Sequence, residues 1–160
     1  QLDLTSLADL PGICVAAPAT GRAIGRDALE GFDVSGKAVL FHTGWARHWR
    51  TDRYFEGHPF VAAETAEHLV QAGAALVGID SFNIDDTGGG TRPAHSLRLR
   101  AGIPIVEHLR GLEQLAAHGF RFFAVPVKVK GMGTFPVRAF ASQILRTNGQ
   151  TGGNQDDVSP

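Results

Sequence analysis

The stretch Gly78–Leu109, GIDSFNIDDTGGGTRPAHSLRLRAGIPIVEHL, joins two short apolar strands through a polar connection that is rich in glycine. The first strand ends at Asp80, and the second, Ile103–Val106, is followed directly by Glu107. Three consecutive glycines and His95 lie between them. Acidic groups, a histidine and flexible glycines between strands are typical of a site carried by loops on a rigid scaffold. We therefore expect fold and function to be organised around this stretch.

Apolar runs of strand length alternate with helical segments along the rest of the chain. Ala38–Phe41 and Ala75–Ile79 are continuous apolar runs, which is typical of strands covered on both faces of a sheet. The clearest helix is predicted from Pro59 to Ala72, because proline is tolerated in a first helical turn and apolar residues recur on one face. Gly73 would end that helix.

Several further strands are predicted without a helix between them, so the sheet should be mixed rather than purely parallel. The prediction is a compact α/β domain on a mixed sheet over residues 1–142. Residues 143–160 are polar and glycine-rich, and we expect them to form a disordered tail. The remaining predicted elements are strands at Ile13–Ala16, Phe120–Val129 and Val137–Ala141, and a short helix at Leu112–Ala117.

Composition narrows the class of protein. The chain has 160 residues, 43% of them hydrophobic, and a formal net charge of -1, which fits one globular domain. The lack of a basic excess argues against nucleic acid as a partner, and no apolar run is long enough for a membrane span. Cys14 is the only cysteine, so no disulfide can form within the chain, and a reducing, cytoplasmic location is expected.

His95 and Glu107 are the first candidates for chemistry. An imidazole and a carboxylate can act as general base and general acid, or as ligands of a divalent metal. Their spacing of twelve residues matches no helical motif. The alternative interpretation is a surface histidine and a strand-end glutamate with unrelated roles.

Three aspartates form a second group. Asp85 and Asp86 could contact a substrate or a metal, but beside three glycines they are also common turn formers, which is the interpretation we favour. Asp80 follows a strand directly, and ligands gather outside the carboxyl ends of strands in α/β sheets. We therefore place Asp80 at a substrate pocket.

Aromatic residues form a third group in a loop that also carries arginines: Trp45, Trp49, Tyr54, Phe55 and His58. They could form an aromatic wall for a planar ligand, or pack as a loop over the core. Common catalytic patterns are absent, since the sequence contains no GxxxxGK[ST], GxGxxG, GxSxG, CxxC or HExxH. Four other histidines are interpreted as ordinary surface or strand-end residues: His42, His68, His108 and His118.

Several short segments follow one another in a distinctive order: Thr43-Gly44-Trp45, Tyr54-Phe55-x-x-His58-Pro59, Val77-Gly78-Ile79-Asp80, His95 and Gly102-Ile103-Pro104-Ile105-Val106-Glu107-x-Leu109. In this order they resemble the cyclase family of metal-dependent hydrolases, which includes bacterial kynurenine formamidase and isatin hydrolase. The resemblance covers about Leu4–Ala141. It implies an α/β domain of the swivelling β/β/α type, assembled as a homodimer. It also implies hydrolysis of an amide or cyclic amide, as by the arylformamidase of tryptophan and kynurenine breakdown.

The resemblance further implies roles for two of the candidate residues. Glu107 would bind a divalent metal, zinc or manganese, and His95 would be the catalytic acid–base group. From the aromatic loop and the strand end described above, and not from the resemblance, we place five residues in the pocket for a small-molecule substrate: Trp45, Trp49, Phe55, His58 and Asp80.

One part of the family pattern does not occur in this sequence. The signature His-x-Gly-Thr-His-x-Asp-x-Pro-x-His supplies further metal ligands in the family, whereas the first histidine here is His42. Because residue 1 is Gln rather than Met, we expect the chain to be the C-terminal portion of such an enzyme. Alone it should bind little or no metal and be inactive. The alternative is a non-catalytic, metal-free protein that binds an aromatic small molecule.

Overall fold

The computed structural model describes residues 3–17, 21–131 and 134–143. Its strands and α-helices are, in chain order, β1 (Leu10–Ala16), β2 (Ala23–Ile24), β3 (Ala38–His42), β4 (Phe60–Val61), α1 (Ala63–Gln71), β5 (Leu76–Ile79), α2 (Pro93–Arg100), β6 (Ile105–Val106), β7 (His118–Phe123) and β8 (Phe140–Gln143). Single turns of 3-10 helix lie at Leu4–Ser6, Arg26–Leu29, Trp45–His48, Asp52–Phe55 and Leu112–Gln114. None of the helices in these ranges is long and apolar enough to cross a bilayer.

Six strands form one sheet in the order β6-β5-β3-β1-β7-β8. The neighbours from β6 to β1 are parallel, whereas β7 is antiparallel to β1 and β8 is antiparallel to β7. The short strands β2 and β4 form a separate parallel pair. The prediction of an α/β domain on a mixed sheet is therefore confirmed.

Both faces of the sheet are covered, which is why neither β3 before His42 nor β5 contains a polar side chain. On one face, side chains such as Val39 and Val77 pack with Leu69 of α1. On the other face, Leu40 and Leu76 pack with residues of the loops and of β7. The parallel strands β3, β5 and β6 all point their carboxyl ends to the same edge of the sheet, where ligands of α/β proteins usually bind.

The predicted helix from Pro59 to Ala72 begins too early. In the structure α1 starts at Ala63, and the two residues after Pro59 form β4. The Phe60 N–H donates to Arg22 O at 2.8 Å, and the Ala62 N–H donates to Ile24 O at 3.0 Å. This pairing with a segment almost forty residues upstream overrides the local helical preference, which is a tertiary effect.

Other boundaries also differ from the predictions, and β1 begins at Leu10 rather than at Ile13. Strand β7 ends at Phe123 instead of Val129, and the next N–H, that of Ala124, donates to Leu7 O at 2.8 Å. The last strand is shifted from Val137–Ala141 to Phe140–Gln143, and the helix predicted at Leu112–Ala117 is a single 3-10 turn. Residue 143, assigned to the tail, belongs to β8. The rest of the predicted tail, 144–160, lies outside the described residues.

Candidate active site at the carboxyl ends of the parallel strands

His95 lies in the first turn of α2, not in a loop as expected, and a distant carboxylate holds it there. Asp85 Oδ1 accepts the Ala94 N–H at 2.7 Å, and Asp85 Oδ2 accepts the His95 N–H at 3.0 Å. The same Oδ2 lies 2.7 Å from His95 Nδ1. Asp85 is only 1% exposed. It therefore caps the helix, satisfying amides that have no partner within the helix, and orients the imidazole.

Glu107 follows β6 and faces the same point. Its Oε1 accepts the Ile84 N–H at 2.7 Å and lies 3.7 Å from His95 Nε2. Both side chains remain about one-fifth exposed. The structure thus brings together the histidine and the glutamate that the sequence singled out, with the imidazole edge and the carboxylate facing each other.

The carboxylate of Asp80 accepts hydrogen bonds from the protein itself, although its strand-end position suggested contact with a substrate. Its Oδ1 accepts the Thr43 N–H at 2.9 Å and the Thr43 hydroxyl at 2.5 Å, while its Oδ2 accepts the Gly44 N–H at 2.8 Å. Gly44 has a φ of 73°, a conformation that favours glycine. The buried carboxylate thus anchors the turn that leads into Trp45.

The aromatic residues divide into a buried and an exposed set. Trp45 is buried, and its indole N–H donates to Tyr54 O at 3.0 Å. Trp49 and Phe55 are 37% and 55% exposed, and their rings flank the ring of Tyr54 at centroid distances of 5.1 and 5.8 Å. Phe82, half-buried, packs edge to face on Phe55 at 5.1 Å. The exposed rings of Trp49 and Phe55 therefore lie beside the loops that carry Asp80 and Glu107.

His58 is fully buried. Its Nδ1 lies 3.0 Å from Pro59 O, and its Nε2 lies 3.2 Å from the Thr87 hydroxyl at the start of the glycine-rich loop. Of the five residues expected to line a pocket, Trp49 and Phe55 present open surface. Trp45, His58 and Asp80 support the loops from within.

Sequence reasoning missed two residues at this edge. Asp85 was interpreted as a turn former, but its carboxylate caps α2. His108 was interpreted as an ordinary residue, yet it has a φ of 60° and its Nδ1 lies 3.0 Å from the Tyr54 hydroxyl. Burial, followed by the charges of Asp80 and Glu107, raises the pKa of Tyr54, so this phenol stays protonated. The position of His108 directly after Glu107 was the available signal.

His95 Nε2 and Glu107 Oε1 are donors of the kind that zinc and manganese bind. Their 3.7 Å separation leaves room for one cation to contact both. Asp85, Asp80 and His58 already use their polar atoms on the protein itself. Among the described residues, no three His, Cys, Asp or Glu side chains form a group that could hold a metal ion. The described residues therefore offer such an ion two donors, His95 Nε2 and Glu107 Oε1.

Comparison with known proteins places the fold in context. Residues 6–86 match the family model named Cyclase. A kynurenine formamidase of Paracidovorax citrulli is 31% identical over 96 residues, covering 60% of this chain and 42% of that protein. A kynurenine formamidase of Bacillus cereus is 28% identical over 118 residues, covering 73% and 55%. The chain spans about half the length of the relatives that it matches.

Solved structures share the architecture. A protein described as a potential metal-dependent hydrolase with cyclase activity superposes with a TM-score of 0.69 at 27% identity, covering 86% of this chain and 66% of that one. An isatin hydrolase bound to the product analogue thioisatinate superposes with a TM-score of 0.76 at 22% identity, covering 88% and 62%. At that identity the second likeness concerns the fold alone. The matched family model spans half of the sequence, and the chain belongs to the cyclase family.

Proposed function

We propose that this chain carries part of the active site of a metal-dependent hydrolase that cleaves an amide or a cyclic amide, as an arylformamidase does. The observation that carries the proposal is the convergence of His95 Nε2 and Glu107 Oε1 at the carboxyl ends of the parallel strands. Relatives named kynurenine formamidase support the choice of substrate class. A role in the breakdown of tryptophan through kynurenine is part of the same proposal.

Glu107 is proposed as a ligand of zinc or manganese. A bound divalent ion would lower the pKa of water and polarise the carbonyl of the substrate. The Ile84 N–H donates to Glu107 Oε1 and fixes the carboxylate, as hydrogen bonds around metal ligands commonly do. Any further metal ligands would be groups other than His95 Nε2 and Glu107 Oε1, the two donors that the described residues provide.

His95 is proposed as the acid–base group. With Nδ1 bonded to Asp85, Nε2 is free to take a proton from the attacking water and to return it to the leaving nitrogen. Its one-fifth exposed edge can reach a bound substrate. The same geometry would also suit Nε2 as a second metal ligand, and the variants below separate the two roles.

The exposed rings of Trp49 and Phe55 are proposed to contact the aromatic part of the substrate, with Trp45, His58 and Asp80 supporting the loops behind them. Planar ligands gain affinity from stacked or edge-to-face aromatic contacts. We include a homodimer and a cytoplasmic location in the proposal, the latter because Cys14 is the only cysteine.

The test uses the polypeptide expressed from its complete reading frame. Metal content is measured by mass spectrometry, and hydrolysis is assayed on an N-formyl aryl amine and on a cyclic amide. We expect activity that a chelator abolishes and that zinc or manganese restores. Glu107→Gln should weaken metal binding, and His95→Ala should slow turnover about a hundredfold or more while sparing the metal.

Two results would change the assignment. Loss of metal in His95→Ala would make Nε2 a ligand rather than the proton carrier. Full activity after exhaustive chelation, or in Glu107→Gln, would overturn the metal-dependent mechanism. His118→Ala is the matched histidine control, since His118 lies exposed at the start of β7, and it should leave both metal content and turnover unchanged.

The second candidate is a metal-free protein that binds an aromatic small molecule. The exposed rings of Trp49 and Phe55 favour it. Tryptophan fluorescence that responds to an aryl amide equally with and without metal, in a protein without turnover, would favour this candidate.

A further inference from the structure

Asp85 makes more contacts than helix capping requires. The Ala94 N–H donates to Oδ1, whereas Oδ2 accepts from the His95 N–H and also lies 2.7 Å from His95 Nδ1. The aspartate is itself held, because its own N–H donates to Asn83 Oδ1 at 2.9 Å. The Ser81 hydroxyl, with one proton to donate, lies 3.0 Å from Asn83 O and 2.7 Å from Pro59 O. Hydrogen bonds within a buried loop therefore hold the aspartate whose carboxylate contacts one nitrogen of the imidazole.

The direction of that last bond follows from the chemistry of the partners. An ionised carboxylate only accepts hydrogen bonds, and Asp85 already accepts two from backbone amides. The proton between Oδ2 and the imidazole must then belong to Nδ1, which leaves a lone pair on Nε2 in the neutral ring. That lone pair lies on the side of the ring that faces Glu107 Oε1, 3.7 Å from Nε2.

We infer that Asp85 is the positioning residue of this site, holding His95 in the Nδ1–H tautomer with the Nε2 lone pair directed toward Glu107. The tautomer itself is independent of any reaction, while its importance for hydrolysis rests on the proposed function. Either proposed role of Nε2, proton acceptor or metal ligand, needs a lone pair there. A histidine with the opposite tautomer would present an N–H and could do neither.

Asp85→Asn separates positioning from capping. The amide oxygen can still accept the Ala94 N–H, and the amide nitrogen would then face Nδ1 and donate to it. This orientation sets the amide nitrogen against the His95 N–H, whereas the reversed one sets it against the Ala94 N–H, which makes the shorter of the two bonds to Asp85, so we expect the first. The substitution should therefore preserve much of the cap and move the imidazole proton to Nε2. In a serine protease the equivalent replacement keeps the geometry and produces the wrong tautomer.

The tautomer can be read in the metal-free protein by nitrogen-15 NMR of the histidine rings at about pH 9, where an ordinary imidazole is neutral. The His95 resonances are assigned by their loss in His95→Ala. We expect the wild type to favour Nδ1–H by about tenfold or more, as a charge-assisted hydrogen bond would produce. Asp85→Asn should invert that preference. The matched control is Asp86→Asn, since Asp86 pairs with Arg22 and does not touch His95.

Several outcomes decide the inference. A wild-type His95 that is Nε2–H, or an equal mixture, overturns it, and so does an Asp85→Asn variant that keeps the wild-type tautomer. Asp85→Glu offers a rescue, because a carboxylate that reaches Nδ1 should restore the wild-type tautomer. If Asp85→Asn fails to fold, the wild-type spectrum alone decides.

A metal titration distinguishes this inference from the proposed function. In the polypeptide from the complete reading frame, Asp85→Asn should weaken zinc binding or slow turnover by roughly ten- to a hundredfold, the usual cost of losing such a partner. An inverted tautomer in a protein that binds no metal supports the positioning role and overturns the proposed function. An unchanged tautomer together with weakened zinc binding overturns the positioning role.

Discussion

The parallel half of the sheet, β3 with β5 and β6, and the antiparallel half, β7 with β8, differ in the polar side chains that they bury. Seven polar or charged residues are buried in the described part of the chain, and five of them lie in the loops after β3 and β5: Thr43, Asp80, Ser81, Asn83 and Asp85. None of the seven lies in the antiparallel half or its long connection, where these large apolar side chains are exposed: Val125, Val127, Val129 and Phe140.

The difference shows which part of the fold depends on particular hydrogen-bond partners. A buried carboxylate loses its hydration and must find hydrogen-bond donors in the protein. Asp80 and Asp85 find them in turns and helix ends that are distant in sequence. An exposed valine requires no partner at all. The site edge should therefore be sensitive to single changes, and the connection between β7 and β8 tolerant of them.

The largest expected effect is that of Asp80→Ala. The substitution leaves the Thr43 N–H, the Thr43 hydroxyl and the Gly44 N–H without their acceptor in a buried place. Losing three bonds to one charged group should lower the free energy of unfolding by about 3 kcal/mol or more. Urea denaturation followed by circular dichroism measures it. Asp86→Ala, which removes a more exposed carboxylate, should cost far less, and equal losses would contradict the comparison.

Gly12→Ala tests the junction of the two halves. Gly12 lies in β1 at a register shift in its pairing with β7, and an added methyl group would overlap the ring of Phe120. Overpacking of this kind usually lowers stability by about 1–3 kcal/mol. Thermal or chemical denaturation would show it. Gly21→Ala, where an added methyl group meets nothing within 4 Å, is the matched control. A Gly12→Ala protein as stable as the control would show that Phe120 moves freely.

Alkaline pH should weaken the fold through Cys14, which lies in the strand shared by both halves. Burial, with a smaller contribution from the charge of Asp80, raises the pKa of the Cys14 thiol from 9.0 to about 11. The native state then keeps a proton that the unfolded chain releases, so this contribution is complete below about pH 9 and is lost as the pH rises towards about 11. Denaturation midpoints measured across that window would test it.

The comparison for this prediction is Cys14→Ala, which removes the titrating thiol but not the other alkaline groups. Its stability should fall less steeply with pH than that of the wild type. The native thiol should also react slowly with a thiol reagent at about pH 8, because only the thiolate is a nucleophile. Rapid modification of the folded protein, or parallel pH profiles, would show that the thiol is accessible and ordinary.

The smallest expected effect is that of Val127→Thr in the antiparallel half. Val127 is 64% exposed, so the added hydroxyl remains in water and stability should change by no more than about 0.5 kcal/mol. The same exchange at Val39, fully buried in β3, introduces a hydroxyl into the apolar core and should cost about 1–3 kcal/mol. Denaturation of the two variants side by side measures both. Similar losses would mean that the connection is packed as tightly as the site half.

The sequence predicted the central strands and the mixed sheet well because the signals for them are local. A strand covered on both faces must be apolar at every position, so Ala38–Phe41 and Ala75–Ile79 identify β3 and β5 almost to the residue. The end of α1 is equally local, since Gly73 has a φ of 75°, which favours glycine after a helix. The sequence also singled out His95 and Glu107 and their order relative to the other family segments.

Contacts between distant residues decided the rest. Helix α2 has no clear apolar stripe, and the carboxylate that caps it lies nine residues upstream, in a different loop. The start of α1 was displaced by pairing of β4 with β2. The role of Asp80 depended on amides that β3 brings alongside β5. Residue types and local periodicity therefore determined which groups could do chemistry, whereas burial and long-range hydrogen bonds determined which of them remain free to do it.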